Sequence, residues 1–177
     1  MDVISLLREQ LREAHALLEA VMQGVSPEAT HWIPPGQANP VGATYAHVVL
    51  SEDRTINGML RRQRPLYETD WADRTGLNEL TPRRGEEWHD YAPWTRRVKV
   101  DLPAAHEYAR AVYASSDEYL ASLSPDDLDR PMDLSGMGSG QVTLGWVLSR
   151  LVVAHVDNIA GEISCLKGLQ GLQGYPF

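Results

Sequence analysis

Ile4, Leu7, Leu11, Ala14, Leu18 and Val21 recur at steps of three and four residues. That spacing stacks side chains on one face of an α-helix, whereas a strand would need a period of two. An apolar stripe five turns long has to be buried against something, so this segment is one wall of a larger helical assembly. The pattern returns over residues 40–63, 102–123 and 143–167. Four such segments make the chain all-α and predict a four-helix bundle. Its two long connections, 64–100 and 125–141, take it away from the simple up-down-up-down order.

Helix punctuation supports these bounds. Gly24 suits the stop of the first helix, and Ser26-Pro27 suits a cap and first position of a short turn. The run WIPPGQANP at 32–40 reads as a loop, with Asn39 and Pro40 as cap and first residue of the second long helix. Asp101 and Pro103 open the third long helix, Thr143 the fourth, and Gly168 is the expected stop. Residues 64–100 hold Trp71, Trp88 and Trp94, with a brief helical signal over 84–98 that Pro93 interrupts. A long irregular excursion of that kind often covers a site. The glycines from Gly136 to Gly140 suggest a short hairpin.

The 177 residues amount to one domain, read as 1–168, with 169–177 as a tail that packs on a neighbour or frays. Cys165 is the only cysteine, which excludes a disulfide framework and a cysteine zinc cluster. In an apolar helix it reads as inert packing. A net charge of −8 argues against a nucleic-acid footprint. The charged N-terminal segment is neither a signal peptide nor a membrane span, and a reducing cytoplasm is the expected setting.

His47 in YAHVVL and His155 in VVAHVDNI both lie on apolar helix faces. Core histidines with satisfied hydrogen bonds are one reading of such positions, and a metal pair is the other. The order of segments then becomes informative. A first helix is followed by a W-x-P-P loop, then NPVGATYAHVVLSEDRTINGML, a long helix, a glycine-rich loop and TLGWVLSRLVVAHVDNIAGEISCLKGL. This series resembles the DinB-like (DinB/YfiT-type) family over almost the whole chain.

The resemblance implies a bundle running up-down-down-up, common homodimers, and a divalent ion, zinc or nickel, held by three histidines. Characterised relatives transfer low-molecular-weight thiols or isomerise with one. Residue by residue, His47 matches the ligand of the second helix and His155 the first ligand of the last helix. Ile159 stands where the third histidine belongs, while Gly161, Glu162 and Ile163 match the end of the motif. Two imidazoles hold such ions weakly, so a site without metal is the expectation.

Glu162 lies two turns beyond His155, about 10.5 Å along the axis, too far for one ion to span. Asn158 is a poor zinc ligand, His89 is a remote substitute, and Asp53 faces away from His47. The expected pocket joins Tyr45, Trp146, Asn158 and Glu162 to the two histidines, with Trp32 at its mouth, and would take a small molecule or a low-molecular-weight thiol. Enzyme status stays open between a metal-dependent thiol S-transferase and a non-catalytic bundle that binds a small ligand or a protein.

Overall fold

The computed structural model describes residues 2–82 and 88–177. It is mostly helical. Helix α1 spans Val3–Met22 and starts on Asp2, whose carboxylate accepts from the Ser5 amide at 2.9 Å. Gly24, at φ +72°, turns the chain out of it. A short α2, Pro27–His31, follows behind its Ser26 cap. Helix α3, Val41–Asp53, runs on without a break into a π-helical segment, Arg54–Leu60. Pro40, not Asn39, is its cap residue, and no side chain caps it.

After the excursion comes α4, Tyr91–Arg97. Pro93 sits in its first turn, where no amide partner is needed, so the proline opens the helix and does not interrupt it. The expected helical stretch at 84–87 lies outside the described residues. Helix α5 is Leu102–Ala121, with the Asp101 side chain and Pro103 at its start. Strands β1, Pro131–Leu134, and β2, Gly140–Thr143, pair antiparallel as the expected hairpin. The last long helix begins as α6, Leu144–Val147, capped by Thr143. It passes through a second π-helical segment, Leu148–Val153, and finishes as α7, Ala154–Leu169. It runs past Gly168, and the turn falls at Gly171, φ +75°.

α1 and α3 each pack against both α5 and α7. Two apolar clusters fill the interior. One gathers Leu18, Val21, Tyr45, Leu50, Trp94, Val112, Ala160 and Ile163. The other gathers Leu7, Leu11, Ile56, Leu120, Leu144, Leu148 and Val152, and the hairpin closes over it through Leu134.

Between these clusters lies a polar layer. The His15 Nε2 meets both oxygens of the buried Glu52 at 3.0 and 2.9 Å, and the Ser116 hydroxyl donates to the same carboxylate. His15 stacks on Tyr113, centroids 3.7 Å apart. Nearer the surface, Glu19 accepts from the hydroxyls of Tyr45 (2.7 Å) and Tyr113 (2.9 Å) and pairs with His106 at 2.7 Å. Burial works to raise the Glu19 pKa, but the hydrogen bonds from His106, Tyr45 and Tyr113 outweigh it and hold the carboxyl below its ordinary value.

Asp53 is fully buried and hydrogen-bonds between helices. Its carboxylate accepts from Asn57 Nδ2 (2.8 Å), the amides of Leu66 (3.0 Å) and Tyr67 (3.2 Å), and the Tyr108 hydroxyl (2.6 Å). One side chain thereby ties α3, α5 and the start of the excursion together. The tail turns back on its own helix: the Tyr175 hydroxyl approaches Gly161, and Gly174 lies against the Ser164 backbone. Cys165 is exposed, so it is not core packing. Among the described residues no helix is long and apolar enough to cross a membrane.

Candidate functional site

His47 on α3 and His155 on α7 converge. Their rings stand edge to face, 80° apart in plane, with centroids separated by 5.2 Å. The Tyr91 ring also packs edge-on against His47, at 5.2 Å. Burial, and after it the charge of Glu162, pushes the Tyr91 phenol up to about 12, so it stays protonated at neutral pH.

The two histidines border a cavity of about 520 Å³, within the range of small-molecule pockets. One wall consists of His47, Ser51, Arg54, Thr55, Gly58 and Met59, the other of Arg150, Leu151, His155 and Asn158, with Thr81 and Met137 closing it. The first wall follows the helical steps i, i+4, i+7, i+8, i+11 and i+12 from His47. That continuation was readable in the sequence, but its polar members hid it from a search for apolar stripes. Both π-helical segments lie here, Arg54–Leu60 in one wall and Leu148–Val153 in the other. A local i→i+5 ladder is rare, and it appears most often where a helix carries function.

Of the expected pocket residues, only Asn158 lines the cavity with the histidines. Tyr45 is two residues from His47, roughly 200° around the helix at 100° per residue, and its hydroxyl is held by Glu19 and His106. Trp146 lies beyond the second π-helical segment from His155 and packs on the hairpin-side cluster. Glu162 shares the His155 face but sits beyond the cavity along the axis; burial raises its pKa. Trp32 is outside the lining, and His89 is exposed beside Asp90, 3.5 Å away.

The metal reading can be tested against the donors. Two imidazoles on one tetrahedral ion, with nitrogens about 2.0 Å from it, place their centroids about 5 Å apart, so the observed separation fits a shared ion. The third position does not fit. Ile159 is apolar, 8 % exposed and part of the core, and among the described residues no three His, Cys, Asp or Glu side chains gather as a metal site. The described donors therefore fall one short of a three-ligand centre.

The family model of the DinB superfamily matches residues 10–157. The chain belongs to the DinB superfamily. No curated protein matches it. Among solved structures it is similar to one titled a conserved protein of locus from Enterococcus faecalis. That likeness has a TM-score of 0.80 and 21 % identity and covers 96 % of this chain and 97 % of that one. At that identity the likeness speaks for a shared fold. The matched residues include both His47 and His155.

Proposed function

We propose that this DinB-superfamily protein binds a small molecule in the cavity beside His47 and His155, without a three-histidine metal centre. The same reading carries the up-down-down-up order of the four long helices. The observation that supports it most is the convergence of two histidines from different helices on one cavity, while the third ligand position is filled by a core isoleucine. An imidazole offers one donor and one acceptor when neutral, so the pair can orient a polar ligand group and pass a proton to it. The methionines and Leu151 supply apolar contact around that polar centre.

A second reading, a metal-dependent thiol S-transferase, is favoured by the ring separation that suits a shared ion. Elemental mass spectrometry of protein purified without a histidine tag separates the two, with His47→Ala alongside. No stoichiometric ion, and none retained after dialysis against Zn²⁺ or Ni²⁺, supports the metal-free reading. An equimolar ion that disappears in His47→Ala overturns it and selects the transferase.

A further inference from the structure

The charge of the cavity points to the kind of ligand. The chain carries 24 acidic and 16 basic side chains, yet the cavity lining holds Arg54, Arg150 and two histidines and, among the described residues, no carboxylate. Such a local inversion of sign concentrates anions against the overall field.

Arg54 is half-buried and held in place. Its Nε donates to the Tyr67 hydroxyl at 3.2 Å and one Nη2–H to Thr81 Oγ1 at 3.0 Å, and its guanidinium lies 5.8 Å from the Tyr67 ring centroid. Among the described residues its partners are neutral, none of them cancels its charge, and the Nη1 end of the fork has no partner. The neighbouring Asp53 carboxylate is fully engaged by Asn57, two amides and Tyr108, and it forms no ion pair with Arg54.

Arg150 approaches from the opposite wall. It is exposed, and no described residue hydrogen-bonds or pairs with it. One anchored and one exposed guanidinium facing a shared space is a clamp for a planar anion, because a carboxylate accepts two N–H bonds from each fork. Met59, Met137 and Leu151 then leave an apolar environment for the rest of the ligand.

We propose that the cavity takes a small organic carboxylate with a hydrocarbon tail, its carboxylate between Arg54 and Arg150 and its tail against Met59, Met137 and Leu151. This rests on the reading that the cavity is a ligand site. Met59, Met137 and Leu151 favour an anion that carries a hydrocarbon tail over inorganic phosphate, which has nothing to set against them.

The test is a titration of the full chain with octanoate, octanamide and inorganic phosphate, followed through the amide signals of Ser51, Thr55 and Asn158. Octanoate should shift these signals saturably, with octanamide at least about tenfold weaker. Arg150→Gln should weaken octanoate by about tenfold, whereas Arg62→Gln, an exposed arginine outside the lining, should leave it unchanged. Octanamide binding as tightly as octanoate would overturn the anion assignment and leave the ligand site standing. Phosphate binding in place of octanoate would overturn the carboxylate assignment alone. No response to any of the three would overturn both the assignment and the ligand-site reading.

Discussion

Tyr108→Phe isolates the contribution of the buried Asp53 anchor. The substitution removes one oxygen and keeps the ring, which packs at 5.9 Å from Trp71. Tyr108 is 1 % exposed and its hydroxyl lies 2.6 Å from Asp53 Oδ2. Burial, and then the Asp53 charge, pushes its pKa well above the ordinary phenol value, so the hydroxyl is a permanent donor. A hydrogen bond to a charged acceptor contributes about 2 kcal/mol net, and no cavity is added to that loss. In a domain of this size that corresponds to a fall in Tm of about 4–8 °C.

Urea denaturation should show the same loss as a lower midpoint at constant slope. Tyr119→Phe is the comparison. Its hydroxyl accepts from the Arg130 Nη2 at 3.2 Å in a less enclosed place, and its loss should cost under about 1 kcal/mol. A Tyr108→Phe protein that melts within about 1 °C of the parent, or no lower than Tyr119→Phe, would refute the view that Asp53 anchors α5 to the excursion.

Other outcomes follow from separate features. Ile159→His, one turn from His155, should bind Ni²⁺ at least about tenfold more tightly than the parent by calorimetry; no gain would show that His47 and His155 do not act on one ion. The folded Glu19 pKa is lowered below the ordinary 4.5, so its stabilisation is complete above that value and is lost as pH falls through the lowered one. His106→Gln should therefore flatten the acid limb of stability followed by circular dichroism, and superimposable limbs would exclude this role for Glu19. Gly76→Ala combines φ +75° with a new Cβ 2.6 Å from both the Ala105 amide nitrogen and the Asp101 carbonyl oxygen. It should destabilise by about 3 kcal/mol in urea, and a loss below about 1 kcal/mol would mean that the turn relaxes freely.

Much of the helical layout was legible because it depends on local chemistry. Asp101 with Pro103, Thr143 and Gly24 each carry their role in their own side chain or lack of one. The exceptions are instructive. Asn39 looked like a cap, but the backbone places Pro40 there. The π-helical segments left no signal, because a slipped hydrogen-bond ladder does not alter which residues are apolar. His15, Glu19 and Glu52 fall outside the apolar stripe that marks their helices. Their pairing with His106, Ser116 and two tyrosines exists only once three helices meet.

At the site, the convergence of His47 and His155 followed from the superfamily motif. Tyr45 failed because helical phase carries it to another face, and Trp146 because it packs on the hairpin-side cluster. Arg54 and Arg150 were missed because an arginine on a helix reads as a surface charge until the opposite wall is in place.

Asp53 and Arg54 are adjacent, and the helix sorts their charges to opposite destinations. The acid turns inward and closes the chain on itself, whereas the base opens onto the cavity. One residue of register, roughly 100° of rotation, separates the two roles. A single-residue insertion upstream in α3 would therefore turn the acid toward the cavity and cut the tether of the excursion in the same step. Length in this helix is consequently as much a determinant of what the cavity accepts as the identity of any residue that lines it.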